Sequence, residues 1–202
     1  MSVRKSGPDR KAEILQAALD LAFEKGPNRL TTGMIAARLG LTQPAIYKHF
    51  KNKEDIWQGV AESLCGQIAA NIAETKGTVL TAQARLRQLV LGHLRLVLDH
   101  PALPEIMVMR DLSKAQSASL SQIQASMSGF RDVLVSTSRE AQSNDRFRSD
   151  IGAEDSATLI FGIIQGLVLR LLLSRDPENL LRDGERLLDL QLSLLSENGD
   201  SN

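Results

Sequence analysis

Apolar residues recur at helical spacing from the start of the chain. Over 14–23 they follow one another at spacings of three and four residues, the pattern of an amphipathic helix. Gly26-Pro27 ends this helix, because glycine permits a sharp turn and proline cannot continue an α-helix. The same pattern predicts short helices over about 32–39 and 42–49. A longer helix then opens at Asn52 or Lys53 and runs to about Thr75.

In the rest of the chain the apolar residues also recur at helical spacing. Helices are predicted over about 79–99, 103–112, 114–142, 154–174 and 177–196, with a polar loop at 143–150. No hairpin signal or internal repeat interrupts them, and leucine outweighs the β-branched residues that favour strands. We therefore expect an all-α fold of about nine helices.

Charged residues are unevenly distributed along the chain, although its net charge is +0. Residues 1–53 contain ten Lys and Arg but four Asp and Glu, a net charge of +6, and the remainder carries −6. A basic end on an acidic body suggests a polyanion partner. A basic surface face with no partner is the alternative, and charge alone does not decide between them.

Residues 31–50 meet the requirements of a helix-turn-helix, in which a first helix braces a second in the DNA major groove. Ile35 would face inward, Gly40 allows the turn, and Ile46 would pack the second helix down. A helical hairpin without a DNA role would show the same short pattern. The exposed face of the second helix would carry Thr42, Gln43, Ala45, Tyr47 and Lys48, which suit base edges and phosphates.

A longer string is more specific. It reads Thr31-Thr32-x-x-Ile35-Ala36-x-x-x-Gly40-Leu41-Thr42-x-x-x-Ile46-Tyr47-x-His49-Phe50-x-x-Lys53-Glu54. This string resembles the signature of tetracycline-repressor (TetR) family regulators over about residues 10–60. The resemblance implies a three-helix DNA-binding domain at 1–53 and an effector-binding and dimerisation domain at 54–202. It also implies repression as the default activity. Its implied DNA-binding residues are Thr32, Thr42, Gln43, Pro44, Ala45, Tyr47, Lys48, His49 and Lys53.

The last two predicted helices support the homodimer that the resemblance implies. Residues 157–173 are apolar nearly all round, as in a helix buried on two sides, and two glycines four residues apart permit close backbone approach. A central helix within a monomer is the alternative. The proposed interface comprises Gly162, Gly166, Leu169, Leu187, Leu190 and Leu194.

The resemblance further implies a small-molecule pocket within about 53–175. Bulky, polarisable or polar side chains in this aliphatic setting are candidates to line it. For any one of them, ordinary core packing, or for Arg110 a surface ion pair, is the favoured explanation. The aliphatic surroundings favour an apolar or amphipathic effector. The candidates are Trp57, His93, Met107, Met109, Arg110, Phe130, Phe161 and Gln165.

An enzymatic site is not indicated. The chain has three histidines and one cysteine, so neither a metal-ligand cluster nor a catalytic triad can be assembled, and no cofactor is expected. Cys65 reads as a buried hydrophobe rather than a thiol sensor. The N-terminus lacks a signal peptide and 157–173 falls short of a membrane span, so we expect a cytoplasmic protein without membrane contact.

The combined expectation is a dimeric repressor of a double-stranded DNA operator, released by a small-molecule effector. Two rivals remain from the sequence. One is an effector-free DNA-binding architectural or cell-cycle factor of the same fold. The other is a helical bundle that dimerises with a protein partner.

Overall fold

The computed structural model of the chain describes residues 6–76, 80–107, 114–144 and 147–196. Within these ranges the chain forms nine α-helices and one short 3-10 turn at Pro27–Arg29, with no strand. The helices are α1 (Gly7–Lys25), α2 (Thr32–Arg38), α3 (Gln43–Tyr47), α4 (Lys53–Glu74), α5 (Ala82–Asp99), α6 (Leu103–Met107), α7 (Lys114–Ser143), α8 (Ala153–Ser174) and α9 (Leu180–Leu195). The prediction of an all-α fold with about nine helices is confirmed.

One compact unit comprises the described residues within Met1–Cys65 and His100–Ile123. In it α1 packs on α2 and α2 packs on α3. The side chains of Ile14, Ile35 and Ile46 are completely buried, so each of these three helices contributes to one apolar core. Burying aliphatic side chains of this size stabilises the unit by about 1.5–3 kcal/mol each.

The ends of α1 follow from its sequence. The Ser6 hydroxyl accepts a hydrogen bond from the Asp9 backbone N–H at 3.3 Å, which satisfies one of the free donors of the first turn. At the other end Gly26 adopts a φ of 86° and donates its N–H to the Ala22 carbonyl at 2.9 Å. The predicted stop at Gly26-Pro27 is therefore confirmed.

A second compact unit comprises the described residues within Gly66–Asp99 and Gln124–Asn202. Its helices α5, α8 and α9 pack against one another. At Gly184 in α9 the absence of a side chain lets Leu94 of α5 and Leu167 of α8 lie directly against the α9 backbone. Because of this close approach, α5, α8 and α9 share one apolar core.

The structure differs from the sequence expectation at several helix ends. Helix α9 begins at Leu180 rather than 177, because Pro177 first forms a turn in which its carbonyl accepts the Leu180 N–H at 3.0 Å. The segment predicted as a polar loop contains Phe147, which is buried. The Arg148 N–H donates a hydrogen bond to the Leu195 carbonyl at 2.9 Å, which holds this segment against the end of α9.

Helix α8 is longer than the apolar run read from the sequence. By length and composition alone, Ala153–Ser174 would suffice to cross a membrane, so the statement that this stretch falls short of a span is corrected. One such helix is weak evidence for a membrane, since core helices of globular proteins meet the same criterion. Only 33% of its most apolar window is buried in the monomer, so much of its apolar surface is left uncovered.

Candidate nucleic-acid interface

The turn between α2 and α3 is built around Gly40. Its φ of 63° lies in the left-handed region, which glycine adopts without steric cost. The Gly40 N–H donates to the Ala37 carbonyl at 3.2 Å and the Leu41 N–H donates to the Ala36 carbonyl at 2.8 Å. These two bonds form a Schellman motif that satisfies the last carbonyls of α2. They fix the direction in which the chain enters α3.

Helix α3 has one buried and one exposed face. Ile46 is completely buried, which anchors the helix on the core of its unit. Ala45 and His49 are half-buried. The exposed side chains among the predicted DNA-binding residues are Thr42, Gln43, Pro44, Tyr47 and Lys48. Thr42 occupies the N-cap position of α3, but its side chain makes no capping hydrogen bond and is therefore available to other partners.

Thr32 does not share this exposure. Its side chain is buried, with 8% of its surface accessible. The Thr32 Oγ1 lies 3.2 Å from the Tyr47 Oη, and either hydroxyl can donate in this hydrogen bond. The Gln43 Nε2 donates to the same Thr32 oxygen at 3.5 Å. The first residue of α2 is thus in contact with two exposed side chains of α3.

The start of α4 is held by a reciprocal pair of caps. The Asn52 Oδ1 accepts the Asp55 N–H at 2.7 Å, and the Asp55 carboxylate accepts the Lys51 N–H at 2.9 Å. Together they place Lys53, half-buried, as the first residue of α4. The positive end of the helix dipole adds to the ammonium charge there, which favours an anion.

An exposed ion pair ties the end of α2 to α1. Arg38 and Glu24 are 2.5 Å apart, and the hydrogen bond from Arg38 lowers the pKa of Glu24 and raises that of Arg38. Because both groups are exposed to solvent, the pair adds little to stability. Its effect on the interface is to neutralise one arginine of the basic segment, which leaves Lys48 and Lys51 as exposed cations near α3.

The effector candidates fall into separate parts of the molecule. His93 of α5 and Phe130 of α7 lie together in the second unit, with ring centroids 4.9 Å apart and an interplanar angle of 31°. Burial lowers the pKa of His93 from 6.5 to about 4, so its imidazole is neutral at pH 7. Its Nδ1 has no hydrogen-bond partner among the described residues. Such a buried polar atom is uncommon and costs stability unless something satisfies it.

The other described effector candidates belong partly to the first unit and partly to the second. Trp57 is buried in the first unit, and its Nε1 has no hydrogen-bond partner in the part of the chain that the structure describes. In the second unit Phe161 is half-buried and Gln165 is exposed. Met109, Arg110 and the side chain of Met107 lie outside the described residues.

The predicted dimer residues lie on α8 and α9, and all of them except Leu187 are exposed. Leu169, Leu190 and Leu194 expose 56%, 55% and 61% of their surface. Gly162 and Gly166 are exposed, with no atom within 4 Å of the position where a Cβ would stand, and Leu187 is half-buried. Leu159 and Leu173, which the sequence did not single out, extend the same exposed face.

Sequence reasoning also missed Gly33. A Cβ added there would lie 2.8 Å from the Gln43 Nε2, so the side chain of Gln43 rests against the backbone of α2 at this glycine. The signal in the sequence was a glycine directly after the cap Thr31-Thr32, where an ordinary helix former would be expected.

Comparison with known proteins agrees with this geometry. Residues 14–60 match the model of the tetR family of bacterial regulatory proteins. The HTH-type transcriptional regulator TtgR from Pseudomonas putida is 27% identical over 201 residues, covering 95% of this chain and 94% of the relative. The nucleoid occlusion factor SlmA from a Marinomonas species is 24% identical over 164 residues, covering 79% of this chain and 81% of that protein.

A solved structure shows the same fold over nearly the whole length. The transcriptional regulator FadR from Bacillus subtilis, in complex with stearoyl-CoA, superimposes with a TM-score of 0.69 at 22% identity, covering 90% of this chain and 97% of FadR. The helix-turn-helix match, the full-length relative and this structural likeness agree. Residues 14–60 thus carry the helix-turn-helix region typical of the tetR family of bacterial regulatory proteins, and over nearly its whole length the chain is similar to a transcriptional regulator.

Proposed function

We propose that the protein is a cytoplasmic, homodimeric, non-enzymatic repressor that binds a double-stranded operator through α3 and is released by a small apolar or amphipathic effector. One observation carries the DNA-binding part of the proposal. Helix α3 presents Gln43, Tyr47 and Lys48 to solvent while Ile46 on its opposite face is completely buried. The helix is thereby fixed on its core and free to enter a major groove.

The chemistry of the exposed residues divides into two roles. Gln43 offers both a donor and an acceptor and can pair with the edge of an adenine. Thr42, Lys48, His49 and Lys53 carry donors that suit phosphate oxygens, and the Tyr47 hydroxyl can reach base edges. Pro44 and Ala45 supply apolar surface for a thymine methyl group. We assign the domain boundary accordingly, with 1–53 binding DNA and 54–202 serving effector binding and dimerisation.

Binding of selected duplexes tests this assignment. DNA fragments selected from a random library by the wild-type protein serve as specific probes, and a scrambled duplex of equal length is the reference. Tyr47→Ala should lower affinity for the selected duplex by roughly 10- to 100-fold. Lys48→Ala should weaken binding to both duplexes and reduce the salt slope by about one. Lys76→Ala, an exposed change in the turn after α4, is the control and should alter neither affinity nor salt slope.

Two outcomes of these measurements would overturn the assignment. A Tyr47→Ala variant with full affinity for the selected duplex would show that α3 is not the recognition helix. A wild-type protein without salt-dependent DNA affinity would refute the regulator function altogether, because phosphate contacts always release counterions.

The spacing of the exposed residues on α8 and α9 supports a dimer. On α8 the sites Leu159, Gly162, Gly166, Leu169 and Leu173 alternate at three and four residues, and on α9 Leu187, Leu190 and Leu194 do the same. This spacing is that of a helix-packing seam. A second copy of the chain is the occupant we propose, since a two-fold axis would also set two recognition helices about 34–36 Å apart for successive half-sites.

Sedimentation tests the dimer. Leu169→Glu and Leu194→Glu each place a charge in the seam and should yield monomers, because an unpaired charge is costly to bury. The double variant Gly162→Leu/Gly166→Leu should also dissociate if the backbones approach closely there. Arg182→Glu, an exposed change on α9 farther from the seam, should remain dimeric. A stable dimer in all three seam variants would refute this interface.

The second unit offers the best support for an effector. His93 and Phe130 combine an aromatic surface with a buried nitrogen that lacks a partner among the described residues, a combination suited to an apolar molecule with one hydrogen-bonding group. Of the matched proteins, FadR has been solved with stearoyl-CoA bound. Stearoyl-CoA and free stearate are therefore the first probes. An effector should raise the melting temperature and lower operator affinity; a compound that stabilises without releasing DNA would contradict induction.

A second candidate function is an effector-free DNA-binding factor of the cell cycle. The likeness to the nucleoid occlusion factor SlmA favours it, because that match covers 79% of this chain. Selection of bound fragments from the source genome separates the two. A regulator should recover a few sites beside genes, whereas a cell-cycle factor should recover many sites spread over the chromosome and show no compound-dependent release.

A further inference from the structure

We propose that Thr32 is a positioning residue of the recognition surface, which holds Tyr47 and Gln43 in their DNA-reading orientation before DNA arrives. This inference rests on the proposed role of α3 as the recognition helix. It assigns Thr32 a function different from the direct DNA contact that the family resemblance implies. The observation behind it is that one buried hydroxyl contacts two exposed side chains of another helix.

The burial of Thr32 determines what its hydroxyl can do. With 8% of the residue accessible, its Oγ1 is directed to α3 rather than to solvent. A threonine hydroxyl provides one donor and two acceptor sites, enough for both Tyr47 and Gln43. Because threonine is branched at Cβ, its side chain has few rotamers and supports the two contacts rigidly.

Gly33 completes the arrangement. A Cβ at this position would lie 2.8 Å from the Gln43 Nε2 and 3.7 Å from its Cδ. The Gln43 side chain therefore lies over α2 only because Gly33 has no side chain. Thr32 supplies the hydrogen bond to Gln43 and Gly33 supplies the space for it.

Because these side chains are already held in place, they lose less conformational entropy when the protein binds DNA. Glutamine and tyrosine otherwise lose rotamer freedom when they dock, and ordering such a side chain weakens binding measurably. Loss of the Thr32 hydroxyl should lower affinity for a selected duplex by roughly three- to tenfold, the range expected for one or two hydrogen bonds. Affinity for a scrambled duplex should change little, since that binding does not use the oriented side chains.

Tyr47 is the only tyrosine in the chain, which allows a direct test. Labelling tyrosine with ¹³C at Cζ gives a single NMR resonance that responds to hydrogen bonding of the phenol. Thr32→Val removes the hydroxyl at nearly constant volume and should shift this resonance in the absence of DNA. Thr32→Ser keeps the hydroxyl and should restore both the resonance and the selectivity. Thermal melting of each variant confirms that it is folded.

Gly33→Ala is the second, independent variant. It should displace Gln43 and lower selectivity while leaving the Tyr47 resonance in place. In a Gln43→Ala background the effect of Gly33→Ala on selectivity should vanish, because the two changes act through the same side chain.

Each outcome decides the proposal. A shifted resonance in Thr32→Val, lost selectivity and rescue by serine support positioning. An unshifted resonance overturns it, even where the protein binds DNA selectively. Equal weakening on selected and scrambled duplexes with a lower salt slope identifies a phosphate donor instead and also overturns it. A wild-type protein that selects no duplex refutes the proposed function itself, which is a separate failure.

Discussion

The stability of the protein should fall in mild acid because of one buried histidine. His93 is 3% exposed and lies against the Phe130 ring. Burial lowers its pKa from 6.5 to about 4, since the charged imidazolium would lose its hydration. The unfolded chain therefore takes up the proton first. Stability due to neutral His93 is fully present above pH 6.5 and is lost as the pH falls towards 4.

The size of this effect follows from the two pKa values. The gap between 6.5 and about 4 is equivalent to about 3 kcal/mol of unfolding free energy once the pH is below both. By pH 5 about 2 kcal/mol of it should be lost, because the histidine of the unfolded chain is then almost fully protonated. A loss of this size is a substantial share of the stability of an ordinary domain.

Urea unfolding at pH 8, 6.5 and 5 measures this pH-dependent loss of unfolding free energy. Protein concentration is held constant, because dissociation of a dimer would itself shift the transition. His93→Gln carries no titrating group at this position and should lose about 2 kcal/mol less than the wild type between pH 8 and 5. His49→Gln is the matched control: it removes a histidine but keeps His93, so the loss assigned to His93 should remain. Equal pH dependence in His93→Gln and wild type would refute the assignment to His93.

Three further predictions concern stability and are measured by urea unfolding at pH 7. Gly184→Ala should cost about 1–3 kcal/mol by overpacking against Leu94, whereas Gly129→Ala, which meets open space on α7, should be neutral or stabilise by up to about 1 kcal/mol. Gly40→Ala should cost about 1–2 kcal/mol, because alanine resists a φ of 63°; an unchanged midpoint would contradict the turn geometry. Asn52→Ala should cost about 1 kcal/mol through loss of its cap on Asp55, and no loss would mean that the cap is not formed in solution.

The sequence predicted the elements that depend on local signals. Gly26-Pro27 and Gly40 end helices through backbone conformations that their residue types favour, and both ends lie where expected. Ile35 and Ile46 were expected to face inward from their spacing alone, and both are completely buried. Helical periodicity and turn formation depend on a few neighbouring residues, so a single sequence is enough to predict them.

Features that depend on distant residues could not be read in this way. The contact of His93 with Phe130 joins α5 to α7, and the Thr32–Tyr47 hydrogen bond joins α2 to α3. Phe147 was assigned to a polar loop because its neighbours are polar, yet the segment folds back on the end of α9. In each case the determining neighbour is set by tertiary packing, which composition and period do not encode.

Helix α8 shows how the structure changes the meaning of a sequence feature. Its apolar composition would serve a membrane span, a core helix or an oligomer seam equally well. The structure divides that composition into two faces. One face packs on α5 and α9, while Leu169 and Leu173 lie on the other at seam spacing. Exposed Arg170 forms an ion pair with Asp183 of α9 at 2.7 Å beside that face. An ion pair at the edge of a leucine seam is typical of a polar rim around an apolar protein interface and costly in lipid, which favours a second copy of the chain as the partner of α8.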